Sequence, residues 1–375
     1  MKMKILKAVI GLIPLQLFIY LMRKRKGELF SDLWPYSDKG SLKLQAIESN
    51  QYQHVISVQG YGYSGSGAVV DILREFSDVT VYGSIDADYS GATSKMGYSE
   101  FDICRHPGGL FEIERYLNSD NLFFNDAVIK RFLSFIDKRF CKRGNLLYTE
   151  NFRMNLLRFL NEIVDFSVDN MPSEQFNLHV RTSLSFLKYR YSIFFIKKMS
   201  VEEYRCRARY FLNAIFNDFK PNRYLALDQF FSDLGDNYLM KKQYVPNLKT
   251  IIVRRDPRDV FLYAHLKRVA WIPSYNVEVF VKWYATMLKN INKNPDEVLV
   301  LQLENLILNY DESLAKIKGY LQLDDASHTR KRQFFDPKVS VKNLMLWKDE
   351  LNKKKFNKEL LYIEKELKQW CYNEF

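Results

Sequence analysis

The stretch Val55-Ile-Ser-Val-Gln-Gly60-Tyr-Gly62-Tyr63-Ser64-Gly65-Ser66-Gly67-Ala68-Val-Val-Asp71-Ile-Leu-Arg-Glu-Phe76 passes from an apolar run through a Gly/Ser cluster into a helix-period pattern. The run His54 to Gln59 is short and apolar, which predicts a buried strand. Ala68 to Phe76 carries apolar residues at three- and four-residue spacing, which predicts an amphipathic helix. A glycine-containing turn between strand and helix leaves backbone N–H groups bare at the helix N-terminus, where the helix dipole favours an anion. Gly65 and Gly67 let a ligand approach the backbone closely, and Ser64 and Ser66 add hydroxyl donors. Taken alone, the same turn also reads as ordinary strand-to-helix punctuation.

Far along the chain a second buried-type strand ends in a dense charged turn, Leu248-Lys-Thr-Ile-Ile-Val253-Arg254-Arg255-Asp256-Pro257-Arg258-Asp259-Val260. Its guanidinium forks suit a phosphate. Asp256 and Asp259 suit a different task, fixing the turn and capping a helix that begins near Val260. Arg254 and Arg258 fit either a ligand contact or a salt bridge.

Between and around these motifs, strands alternate with helices. Val79 to Tyr82, Arg223 to Gln229, Thr250 to Val253 and Glu297 to Leu303 read as strands, and Val277 to Ile291, Glu312 to Leu321 and Asn357 to Trp370 as helices. That alternation predicts an α/β fold, a parallel sheet flanked by helices with right-handed crossovers. The block 110–220 interrupts it with helical periodicity and few breakers, which predicts a large helical insertion. Residues 27–52 read as a polar connector, so the main domain is expected over 53–375.

The chain has 375 residues, 47% of them apolar and 15% aromatic, enough for a packed core and against global disorder. Its formal charge of +12 favours anionic partners. No basic-aromatic string of the kind RNA modules use is present, so nucleic acid is not an expected partner. Cys104, Cys141, Cys206 and Cys371 are far apart and match no metal-ligand spacing, so neither a metal site nor a disulfide framework is expected. The absence of any Asn-x-Ser/Thr acceptor fits a reducing setting such as the bacterial cytoplasm. At the amino terminus Ile5 to Met22 is mostly apolar and Arg23-Lys-Arg-Lys26 follows. As a helix this run spans about 27 Å, marginal against a hydrocarbon core of about 30 Å. Residues 1–26 are therefore expected either to associate with the inner face of an anionic membrane or to cover an apolar patch of the protein itself.

Taken together, the two motifs resemble the nucleotide-dependent sulfotransferases, which carry a P-loop-like turn after their first strand and an R-[DN]-P-[RK]-D-V turn later. The resemblance runs from about Gln53 to Trp347, and its sharpest piece is Arg255-Asp-Pro-Arg-Asp-Val260. It implies a P-loop-like sheet of sulfotransferase type, binding 3′-phosphoadenosine 5′-phosphosulfate (PAPS) and transferring its sulfuryl group to a hydroxyl of a glycan, glycolipid or lipid. It implies that Gly62, Tyr63, Ser64, Gly65, Ser66, Gly67 and Ala68 cradle the 5′-phosphosulfate. Arg255 and Tyr263 would meet the 3′-phosphate, with Tyr263 standing where members have a serine. The segment Phe335-Asp-Pro-Lys-Val-Ser340-Val-Lys342-Asn343-Leu-Met-Leu-Trp347-Lys348 is similar to the nucleotide-covering loop, and Lys348 is its candidate ligand. Members place Lys or Arg where this chain has Tyr63, so Arg105, Lys348 or Arg254 is expected to compensate. For the base that takes the acceptor proton, Glu100 ranks first, then His106, Asp102 and Asp86. The missing Gly-Lys-[ST] string argues against an ATP or GTP hydrolase. The competing expectation is a catalytically silent nucleotide-binding or membrane scaffold of the same fold.

Overall fold

The computed structural model describes residues 51–82, 101–105, 107–139, 150–169, 192–231, 238–289 and 297–372. In chain order these form β1 (His54–Gly60), α1 (Ser66–Arg74), β2 (Val79–Val81), α2 (Leu110–Arg115), α3 (Leu122–Arg139), α4 (Glu150–Ile163), β3 (Val164–Asp169), β4 (Ser192–Ile196), α5 (Val201–Phe216) and β5 (Tyr224–Asp228). There follow α6 (Tyr238–Tyr244), β6 (Leu248–Arg254), α7 (Pro257–Leu266), α8 (Val277–Leu288), β7 (Val298–Gln302), α9 (Leu303–Leu308), α10 (Tyr310–Leu321), α11 (Pro337–Ser340) and α12 (Glu350–Glu366). The chain divides into two compact units, one of residues 52–102 with 222–375, the other containing 103–221.

The first unit is built on a five-stranded sheet in the order β2-β5-β1-β6-β7, parallel throughout. A parallel strand covered on both faces must be apolar on both, which is why Val55, Ile56 and Val58 read as a run rather than an alternation. All three are fully buried, and Ser57 and Gln59 between them are buried too. Val69, Val70, Ile72 and Leu73 of α1 pack with this sheet in one core that continues through Leu306, Ile307, Leu314 and Ile317. The α/β expectation with a parallel sheet flanked by helices therefore holds.

Register puts the two motifs side by side. Val55 pairs with Leu248 and Gly60 with Val253, so β1 and β6 end at the same edge of the sheet. From β1 the chain leaves through α1 toward β2, beyond β5; from β6 it leaves through α7 and α8 toward β7 on the opposite side. The crevice beyond the carboxyl ends of β1 and β6 is thus a topological switch point, the usual ligand position in an open α/β sheet.

Glu75, just past α1, is buried and ties a distant segment to this helix. Its Oε1 accepts from the backbone N–H groups of Phe334 (3.2 Å) and Phe335 (3.1 Å), and its Oε2 lies 2.9 Å from His328 Nε2. The His328 ring stacks on Phe76, with centroids 4.4 Å apart. Glu75→Gln keeps one acceptor oxygen but sets an amide against the imidazole. It is expected to lower unfolding free energy by about 1–2 kcal/mol in urea denaturation.

The second unit departs from the helical insertion expected over 110–220. Among the described residues four helices are present, but β3 and β4 pair as an antiparallel two-stranded sheet, Val164 opposite Ile196 and Phe166 opposite Phe194. Val164, Phe166 and Val168 alternate with polar residues, a period of two that the surrounding helical pattern obscures. Around it Phe159 stacks on Phe211 at 4.9 Å, and Arg205 grips Glu114 through two hydrogen bonds of 3.0 and 2.6 Å. No helix among the described residues is long and apolar enough to cross a membrane. The amino-terminal segment 1–26 and the connector up to Asn50 lie outside the described residues.

Candidate functional site

After β1 the backbone makes a tight turn that only small residues allow. A Cβ on Gly60 would lie 2.1 Å from Ser64 Oγ and 3.2 Å from Ser66 Cβ, because the turn folds back over the strand end. Gly65 has φ of 99°, a left-handed conformation, and serves as N-cap of α1 without a capping side chain. The helix therefore begins with N–H groups that no side chain satisfies. The Ser66 hydroxyl accepts from Gln229 Nε2 at 3.0 Å, which brings the end of β5 to the turn. Ser64 Oγ is buried with no hydrogen-bond partner among the described residues.

Tyr63 is the odd residue of this turn. Its φ of 61° is left-handed, uncommon for a bulky side chain. The ring, 44% exposed, lies 4.6 Å from the Tyr263 ring and 6.1 Å from Trp271, nearly parallel to the latter at 18°. Trp271 covers Gly62 so closely that a Cβ there would sit 1.7 Å from Cη2 of the indole. Trp271 and Gln229 had not been expected at the site from sequence.

Arg255 joins the two motifs. Its Nη1 donates to the Tyr63 carbonyl at 3.2 Å, its Nη2 to the Asn343 carbonyl, and its Cζ lies 5.6 Å from the Tyr263 ring. The residue is 3% exposed, and its Nε has no partner among the described residues. Residues 62–68 of the glycine turn, Arg255, Tyr263 and Asn343 thus come together. Lys348 is placed by the Trp347 ring, 5.3 Å from its Nζ, and that ring packs on Arg258 and not on Arg255. Asp102 is buried beside the carboxyl end of β5, where the Phe101 N–H donates to Asp228 O at 2.7 Å. Arg105 belongs to the other unit, its guanidinium 4.7 Å from the Phe135 ring. Glu100, His106 and Asp86 lie outside the described residues.

Asp256, Arg258 and Asp259 of the arginine turn are structural. Asp256 caps α7, accepting from Arg258 N at 2.8 Å, and binds the Arg258 guanidinium at 2.6 Å and Tyr372 N at 2.8 Å. Arg258 donates to Tyr372 O at 3.0 Å and lies 3.7 Å from the Trp347 ring. It is fully engaged inside the protein, which decides its role in favour of the salt bridge. α7 starts at Pro257, earlier than the Val260 expected from sequence. Asp259 accepts from Met345 N at 2.7 Å and Trp347 N at 3.4 Å, clamping the covering segment. Burial pushes its carboxyl up to about 6, opposed by the Arg255 charge.

Beneath the arginine turn is a buried network missed in the sequence. Glu304 accepts from Asp256 N at 2.9 Å and from Gln302 Nε2 at 2.5 Å. The Tyr61 hydroxyl donates to that of Tyr284 at 3.2 Å, and Tyr284 donates to the Arg255 carbonyl. Burial raises the Glu304 carboxyl to about 7, against hydrogen bonds that favour its ionised form. A carboxylate directly after an apolar strand was the available signal.

A shallow depression of about 430 Å³, lined by the end of α8 and by Gln369 and Trp370, contains none of the motif residues. Among the described residues no group of three or more His, Cys, Asp or Glu side chains could hold a metal ion. Among the described residues Cys104, Cys206 and Cys371 form no disulfide. No family model and no curated protein matches this chain.

Proposed function

We propose that this chain is a PAPS-dependent sulfotransferase of P-loop-like fold, moving a sulfuryl group to a hydroxyl of a glycan, glycolipid or lipid. The observation that carries the reading is Arg255 bridging the carboxyl-end turns of adjacent parallel strands, one glycine-rich, one basic. The residues present fit the group. Glycines 60, 62 and 65 let the turn fold tightly against Ser64, Trp271 and Leu303, which leaves its backbone N–H groups as the donors for a 5′-phosphosulfate. Ser64 Oγ is a buried hydroxyl with no partner among the described residues, and the N-cap residue of α1 supplies no capping side chain. The 3′-phosphate would take the remaining N–H groups of Arg255, with Tyr263 alongside.

In the transfer, an acceptor oxygen attacks sulfur as the bond from sulfur to the 5′-phosphate oxygen breaks, and the electron pair leaves on the phosphate. The acceptor proton passes to a base drawn from Glu100, His106, Asp102 and Asp86. The N–H groups of the turn and the Ser66 hydroxyl stabilise charge growing on the departing phosphate, since they are fixed before the reaction begins. Tyr63 brings no charge there, so Arg254 or Lys348 within the same unit supplies the compensating cation.

Thermal unfolding with 3′-phosphoadenosine 5′-phosphate tests the nucleotide site. At about a hundredfold excess over Kd the midpoint should rise by the equivalent of about 2.7 kcal/mol, and by less with AMP at the same concentration. Arg255→Ala should abolish the difference between the two nucleotides. Equal responses to both in the parent protein would refute the assignment. Transfer of labelled sulfate from PAPS to membrane glycolipid extracts tests the chemistry. A second reading, a silent nucleotide-binding scaffold, is favoured by the uncharged, ring-stacked Tyr63; nucleotide stabilisation without any sulfate transfer selects it.

A further inference from the structure

We infer that the surface formed by residues 330–355 docks on an anionic bilayer. This stretch carries nine Lys and Arg against three Asp and Glu, a net +6 of the chain's +12 in 26 of its 375 residues. Exposed aliphatic side chains are interleaved with the charge: Val339 is 59% exposed, Val341 47% and Leu351 78%, among the exposed Lys338, Lys342 and Lys354. The segment is firmly seated, so this exposure is not that of a loose tail. Phe335, Pro337 and Leu344 are buried beneath it, Asp336 caps α11 through Lys338 N at 2.9 Å, and Asp259 holds the Met345 and Trp347 amides.

The chemistry selects the occupant. Lysines alone would suit any polyanion, but aliphatic side chains offer nothing to a phosphodiester backbone, where aromatic rings stack on bases. At a bilayer surface the two kinds of residue act together: lysines meet anionic headgroups while short apolar side chains enter the boundary with the acyl chains. The surface adjoins the candidate nucleotide site through Asn343, whose carbonyl accepts from Arg255. Docking would therefore hold that site against headgroups, although the inference stands without the nucleotide reading.

Amide hydrogen exchange of the full chain, with and without vesicles, tests it. Mixed phosphatidylglycerol and phosphatidylcholine vesicles should slow exchange across 337–343 and 350–355; phosphatidylcholine alone should not. Val339→Ser with Val341→Ser, both exposed and so harmless to the thermal midpoint, should weaken vesicle affinity about tenfold. Raised salt should weaken the parent protein in the same direction. Unchanged exchange at these amides on the mixed vesicles, including when residues 5–22 alone account for sedimentation, overturns the inference. So does slowing produced by a single-stranded oligonucleotide but not by the vesicles.

Discussion

Asp256→Ala is expected to cost about 3–5 kcal/mol of unfolding free energy, because it strands a buried arginine. The Asp256 carboxylate is fully buried, and so is the Arg258 guanidinium it binds at 2.6 Å, with only 4% of the arginine side chain exposed. Removing the carboxylate also uncaps α7 and orphans the Tyr372 N–H. What remains for Arg258 is the neutral Tyr372 carbonyl at 3.0 Å, the Trp347 ring, and Glu364 at 3.6 Å, whose own side chain is 53% exposed and hence a well-screened partner. The double replacement Asp256→Leu with Arg258→Met should be less damaging than Asp256→Ala alone, since it leaves no unpaired charge behind. Urea denaturation of the parent, both single variants and the double closes the cycle. A cost below about 1 kcal/mol for Asp256→Ala would mean that the acidic residues of this turn are not its fastening.

That result would also separate the roles within one short string. Arg255, Asp256, Arg258 and Asp259 look alike in sequence as a dense charged turn, and such turns are usually solvated. Their division becomes visible only through partners far along the chain: Asn343 and Tyr63 for Arg255, Tyr372 for Asp256 and Arg258, Met345 and Trp347 for Asp259. Periodicity carries no information about such pairings. By contrast, β1, its glycine turn and α1 were legible because each obeys a local rule: continuous apolarity in a doubly covered strand, glycine at a left-handed position, a helical stripe. Gly65 was legible as freedom of the backbone, but not as the seat of Leu303, nor was Gly62 legible as the seat of Trp271, which only the tertiary fold supplies. The β3–β4 pair was readable in principle from Val164, Phe166 and Val168, yet six residues of alternation are outweighed by the long helical patterns on either side.

Glu304 supplies the other large effect, and it depends on pH. The fold holds this carboxyl protonated up to about 7, where an ordinary glutamate ionises near 4.5. A folded-state pKa above the unfolded value means that the unfolded chain gives up its proton first as pH rises. Stability is therefore lost through the window from about 4.5 to about 7 and is level above it, by an amount of a few kcal/mol. Asp259, raised to about 6, adds a loss of the same sign over a lower window, from about 3.8. Glu304→Gln imitates the protonated side chain: its carbonyl oxygen still accepts the Asp256 N–H, and a flip of the Gln302 amide provides an acceptor for the new NH2. Relative to the parent, Glu304→Gln should therefore gain stability steadily between pH 4.5 and 7 and gain nothing further above pH 7.5. The Asp259 contribution, common to both proteins, cancels in the difference. Denaturant midpoints of the two proteins across that range provide the measurement. A flat difference would show that Glu304 ionises normally beneath the arginine turn. A difference of opposite slope would mean that its charge, not its proton, holds the Asp256 amide in place, and with it the backbone that carries Arg255.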